Sequence, residues 1–319
     1  MTTTVEVEKA QRAGRLIPIL FTATIFTSAL LLFFVQPMFT RMVLPQIGGA
    51  AAVWTTAMLF FQTVLIGGYL YAHLLTRHVP QPAQIAIHIG LLALALFFLP
   101  LAVPERWRYD PANPVVTQTL WLYALGVGLP FAVLSANAPL IQSWYRRSGG
   151  PSADDPYFLY AASNLGSLVA LLAFPLVAEP MFGIRAISGA WSIGFIALGP
   201  MLLLSGLAAR HPAPTGAEVA GASDNPVEAN DKPGLATLGY WAFLAFLPSS
   251  LMLCVTSKIS TDLGSFPLVW VVPLALYLLT FVLVFSSRSR LTSDRLYRLL
   301  PVAIGILVYF SLKSTASLI

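Results

Sequence analysis

The stretch Ser28–His73, SALLLFFVQPMFTRMVLPQIGGAAAVWTTAMLFFQTVLIGGYLYAH, decides the fold. Two apolar runs flank a turn in which Pro45, Gly48 and Gly49 reverse the chain, and Trp54 opens the return run. Arg41 is the only lysine, arginine or carboxylate in the whole stretch. A helix needs roughly 20 apolar residues to cross hydrocarbon, so this reads as a transmembrane helical hairpin. Gln36, Pro37, Gln62, Tyr69, Tyr71 and His73 are set into it. Lipid-facing helices have no use for such groups, which makes the hairpin the first place to look for function.

The rest of the chain follows the same pattern. It is 57% hydrophobic and 10% charged over 319 residues, whereas soluble domains carry about 25% charged residues. The segments 16–40, 42–76, 78–104, 111–145, 156–178, 186–209, 233–257 and 263–287 contain no Asp, Glu, Lys or Arg. Each is long enough to span a bilayer. A ninth span runs from about Leu296 toward the C-terminus, with Lys313 snorkelling to a headgroup. The expectation is an all-α, polytopic helical membrane protein of about nine transmembrane helices.

Four segments follow from this reading. Residues 1–15 form a polar cytoplasmic tail, and no small-residue cleavage pattern follows, so the first helix reads as a retained anchor. Residues 16–208 form a six-helix bundle. Residues 209–235, rich in Ala, Pro, Gly and acids, read as a disordered cytoplasmic linker. Residues 236–319 form a three-helix membrane segment. Six helices, a long inner linker and further helices is a major-facilitator layout, here a six-helix half plus an incomplete second half.

Charge sets the orientation. With the N-terminus inside, the inner loops hold twelve Lys and Arg residues and the outer loops six. The positive-inside rule then places the N-terminus in the cytoplasm. Trp54, Trp121, Trp191 and Trp270 each stand near the start of an even-numbered span and read as an outer aromatic belt. The net charge of +5 is scattered over loops, which argues against nucleic acid. Cys254 is the single cysteine, so disulfides and cysteine-based metal sites are excluded.

Polar residues at membrane depth are the candidates for function. Gln36 and Gln62 read either as interhelical hydrogen bonds or as part of a substrate route. The fourth span, LPFAVLSANAPLIQSWYRR at its end, reads as kinked or unwound around Pro130 and Pro139. Asn137 and Gln142 beside that break are route candidates, because irregular backbone at this depth lines a cavity or is buried in protein. Tyr160 and Asn164 open the fifth span, where Ala162, Gly166 and Ala170 make a small-residue stripe for close helix approach. Glu179 and Asp262 read either as surface ion-pairing groups, Asp262 with Lys258, or as ligands for an amine. No Walker loop, dinucleotide fingerprint or HExxH pattern is present, and no catalytic residue, metal ligand or cofactor is assigned.

Several motifs carry a family resemblance. FFVQPMFTRMVLPQIGGAAAVWTTAMLFFQTVLIGGYLYAHLL, LPFAVLSANAPLIQSWY, DPYFLYAASNLGSLVALLAFPLVAEP and PSSLMLCVTSKISTDLGSFPLVWVVPLALYLLTFVLVF occur in that order. They resemble the membrane part of the bacterial fused major-facilitator/spermidine-synthase-like proteins, over about Leu16 to Phe285. The resemblance implies a multi-pass protein of the bacterial cytoplasmic (inner) membrane. It also implies a link to polyamines or other small cations, whether by transport or by anchoring a synthase-like partner chain. Longer relatives continue into a soluble aminopropyltransferase domain; the sequence stops before it, so no synthase activity is expected of these residues.

Overall fold

The computed structural model describes residues 2–48, 51–104, 107–153, 156–210, 234–263 and 267–284, with Arg295, 298–303 and Gly305 beyond them. Among the described residues there is no strand. Hydrocarbon offers backbone groups no partners of its own, so a chain this apolar satisfies them within helices. The elements are α1 (Thr2–Ile47), α2 (Ala51–His78), α3 (Gln81–Ala95, continued by a 3₁₀ turn to Phe98), α4 (Val115–Gly126) and α5 (Gly128–Arg147). Then come α6 (Tyr157–Ala173), a π turn (Phe174–Ala178), the single turn α7 (Glu179–Met181), α8 (Ile184–Ala208), α9 (Leu235–Leu263) and α10 (Pro267–Val284).

Six helices among the described residues are long and apolar enough to cross a membrane, and the bent α4–α5 pair brings the number to as many as seven. α10 adds a shorter apolar stretch, Val271–Leu283. The protein is an all-α, multi-pass helical membrane protein. Most of the ninth span and most of the linker fall outside the described residues.

α1 is the axis of the bundle. It packs on α5, α6 and α8, and α2 packs on α5. Glycine makes the closest of these approaches possible. A Cβ on Gly166 would stand 2.4 Å from the Phe26 carbonyl oxygen, so α6 lies directly on the α1 backbone. A Cβ on Gly68 would stand 2.5 Å from Ser135 Cβ, which places α2 equally close to α5. The Ala162–Gly166–Ala170 stripe is therefore a packing surface, and all three residues are buried. α10 docks on α6 through Val271, Ala275 and Leu278 against Leu171. α9 has α10 as its neighbour and leaves its described apolar side chains largely exposed.

Three expectations are corrected. The first helix continues to Ile47, past the charge-free run that ends at residue 40, so Pro45, expected in the turn, lies inside it along with Pro37. At membrane depth an interrupted helix would strand several backbone groups, so it is cheaper to lose one donor at each proline. Gly48, at φ +96°, ends the helix, and its N–H donates to the Leu44 carbonyl at 2.8 Å in the usual αL stop. The fourth span breaks at Val127, not at Pro130 or Pro139, with a bend of 70°. Pro130 lies in the first turn of α5, where a missing N–H costs nothing, and Pro139 stays within a continuous helix. Trp191 belongs to no belt: it is buried, and its indole N–H donates to the Leu31 carbonyl at 3.0 Å.

Candidate functional site

The bend at Val127 is packed solid. Tyr123, Phe39, Phe60, Phe61 and Phe131 surround it, with ring centroids 4.7 to 5.5 Å apart along the Phe131–Phe61–Tyr123–Phe39 chain and to Phe60. The Tyr123 hydroxyl donates to Thr40 Oγ1 at 2.9 Å, and Thr40 in turn donates to the Gln36 carbonyl. A Cβ on Gly126 would meet the Phe39 ring at 2.3 Å, so glycine is what lets that ring close the bend. Irregular backbone at this depth is either buried in protein or lines a cavity. Here it is buried.

The polar centre lies on neighbouring helices. Asn137 of α5 is fully buried, and both ends of its amide are engaged. His88 Nε2 of α3 lies 2.6 Å from Asn137 Oδ1, and Asn137 Nδ2 donates to Ser28 Oγ of α1 at 2.8 Å. With the amide nitrogen facing Ser28, its oxygen faces His88, the arrangement in which His88 Nε2 is the donor. The other ring nitrogen faces the Tyr71 hydroxyl of α2 at 3.5 Å. One turn earlier on α3, Gln84 accepts from Trp144 Nε1 at 3.0 Å and donates to the Val79 carbonyl at 2.7 Å. His88 is about 10 Å along α3 from its start at 1.5 Å per residue, so the cluster lies well below the surface.

Ser, His and Asn in one cluster suggest a nucleophilic site, but the order is wrong. The asparagine stands between the other two, and the imidazole does not bond the hydroxyl it would have to deprotonate. The arrangement ties four helices together through neutral groups. Among the described residues no group of three His, Cys, Asp or Glu could hold a metal ion.

The other sequence candidates are dispersed. Gln36 is half-buried and donates weakly within its own helix, to the Leu32 carbonyl at 3.4 Å. Gln62 faces outward from α2. Neither carries the interhelical bond that was one of its two readings among the bonds described. Gln142 is half-buried on α5. Asn164 donates to the Tyr160 carbonyl at 2.9 Å, again within one helix, and the Tyr160 ring packs on Phe281 of α10 with centroids 6.3 Å apart. Glu179 meets Arg41 at 2.9 Å, closing a contact between α7 and the C-terminal part of α1. The Asp262 and Lys258 side chains lie outside the described residues.

The Arg41–Glu179 pair yields a modest prediction. Arg41 is 54% exposed and Glu179 28%, and exposed pairs contribute about 0–1 kcal/mol. Arg41→Gln and Glu179→Gln are each expected to lower unfolding free energy by less than about 1 kcal/mol, with the difference vanishing at high salt. Detergent-solubilised melting at two ionic strengths checks this.

Sequence reasoning did not single out His88, Gln84, Ser28 or Trp144. A signal for the first two existed: Gln84 and His88 are four apart, hence on one helical face, within an otherwise apolar span. Comparison with known proteins is silent: no family model, curated protein or solved structure matches the chain.

Proposed function

We propose that this chain is the membrane domain of a bacterial fused major-facilitator/spermidine-synthase-like protein, and that it acts as a non-transporting anchor or partner for a synthase-like aminopropyltransferase. It resides in the cytoplasmic membrane with its N-terminus inside. The observation that carries this reading is the state of Asn137. A residue lining a substrate route must exchange partners with the substrate, whereas Asn137 is buried with both amide ends engaged by His88 and Ser28. The packed bend at Val127 supports the same reading, since it encloses no route.

A polyamine-transport reading is favoured by a different feature. Tyr160, Phe281 and Tyr277 form an aromatic group where the six-helix bundle meets α10, with the Tyr277 and Phe281 rings 4.9 Å apart. Aromatic faces attract organic cations, and transporter sites lie where repeats meet.

One assay separates the two. The full chain in liposomes is expected to take up no more labelled putrescine or spermidine than empty liposomes, under a proton or a sodium gradient. Saturable uptake that Tyr160→Ala abolishes would overturn the anchor reading. Co-expression tests its positive side: a synthase-like protein encoded beside this gene should sediment with membranes only when this chain is present.

A further inference from the structure

We infer that His88 is a proton-binding site, filled from the aqueous phase through an open cavity along the end of α2, with Tyr71 as the relay. The imidazole is buried, yet only one of its nitrogens has a close partner. With Nε2 donating to Asn137, Nδ1 carries a lone pair. The Tyr71 hydroxyl that it faces stands 3.5 Å away, beyond the roughly 2.7–3.2 Å of a normal hydrogen bond. A buried acceptor held that loosely calls for an explanation.

Tyr71 supplies one, because it has two surroundings. Its ring stacks on His88 with centroids 6.0 Å apart, and it also lines a cavity of about 570 Å³. Tyr71, Leu74, Leu75 and His78 of that lining recur at helical spacing on one face of α2. His78 is exposed and is the last residue of α2. It lies about 10 Å from Tyr71 along the helix axis, against a headgroup layer roughly 5–8 Å thick. The cavity therefore carries the aqueous boundary inward to the Tyr71 hydroxyl.

Proton transfer balances in one step. The hydroxyl gives its proton to Nδ1 and takes another from a hydronium ion on the cavity side, which leaves as water. One N–H bond forms, one O–H bond replaces another, and the imidazolium carries the charge. Both of its N–H groups then meet an acceptor, Asn137 Oδ1 and the Tyr71 oxygen, so the added proton leaves no donor orphaned. A charged donor makes shorter and stronger bonds, which draws Tyr71, and α2 with it, toward α3.

No fixed charge competes for the site among the described residues. From α2 the titratable group facing His88 is Tyr71, while His73, two residues on, is exposed on the opposite side of that helix. α5 presents Asn137 and Trp144, and α1 presents Ser28 behind Asn137. The charges nearest α8 are Arg185 at its start and Arg210 just past its end.

Nitrogen-15 NMR of the full chain in lipid nanodiscs tests this. A background of His73→Gln, His78→Gln and His211→Gln leaves His88 as the sole histidine. Between about pH 9 and about pH 4, which spans the usual histidine range, Nδ1 should gain a proton reversibly while Nε2 keeps its own. Tyr71→Phe, which removes acceptor and relay together, should lower proton affinity at least threefold. Gly67→Leu plugs the cavity from a wall where an added Cβ meets nothing within 4 Å. It should leave affinity within twofold and slow Nδ1 proton exchange at least tenfold. An Nδ1 that stays unprotonated throughout overturns the proposal. So does Tyr71→Phe with affinity and exchange unchanged, since the imidazole then titrates without the hydroxyl. Exchange unaffected by Gly67→Leu overturns the route through the cavity.

Discussion

Gly166→Ala is expected to destabilise the protein by about 3 kcal/mol, the upper end of the usual cost of overpacking a tight interface. The new methyl would stand 2.4 Å from the Phe26 carbonyl oxygen and 3.3 Å from the Leu30 amide nitrogen. Both are backbone atoms of the helix on which the bundle is built. They cannot swing aside as a side-chain end can, so α1 and α6 must separate along the most extensive helix–helix contact in the fold. A graded series isolates the cause. Gly68→Ala meets Ser135 Cβ at 2.5 Å and α5 backbone at 3.1 Å, and should cost about 2 kcal/mol. Gly206→Ala meets the Ile85 side chain first, at 2.8 Å, which can rotate, so its cost should stay near 1 kcal/mol. Gly189→Ala meets nothing within 4 Å. It should be neutral or stabilising by up to about 1 kcal/mol through helix propensity. Unfolding of the four variants in mixed micelles should reproduce that order. Equal losses across the series would mean that helix approach does not limit stability.

This series also shows where sequence reading succeeds. The spans were readable because hydrocarbon excludes charge, and that constraint acts locally on every residue. The Ala162–Gly166–Ala170 stripe was readable because small residues at every fourth position have one structural use in a membrane helix. The break in the fourth span was only half readable. Pro130 and Pro139 announced irregularity, but its position was set by tertiary packing: the Phe39 ring, 87 positions earlier than Gly126 in the numbering, fills the space a side chain there would need. Trp191 stands near a helix start like its three counterparts, and nothing local distinguishes an interfacial indole from one that bonds the Leu31 carbonyl 160 residues away. The polar centre was the least readable. His88, Asn137 and Ser28 are separated by 49 and 109 residues, and each taken alone is an ordinary residue in an apolar run.

The larger mutational effect at that centre should come from Asn137. Asn137→Ala removes the partner of both His88 Nε2 and Ser28 Oγ. The serine hydroxyl can turn to a carbonyl of its own helix, so its loss is small. The imidazole cannot, and a buried donor left without an acceptor costs about 1–3 kcal/mol. The space vacated by the amide adds a cavity term of similar sign. The expected total is about 2–4 kcal/mol. That exceeds the roughly 0.6 kcal/mol average for an interhelical hydrogen bond in a membrane, because the penalty lies in the orphaned donor and not in the lost bond. The distinction is measurable. His88→Leu in the Asn137→Ala background removes the orphan while nearly conserving ring volume, and should recover at least about 1 kcal/mol of the loss. Asn137→Ser, which keeps an acceptor near His88, should fall between the two. If the double variant is less stable than Asn137→Ala by the full cost of His88→Leu alone, the two residues are uncoupled. The cluster would then be four helices that happen to meet, not a polar tie that sets how they pack.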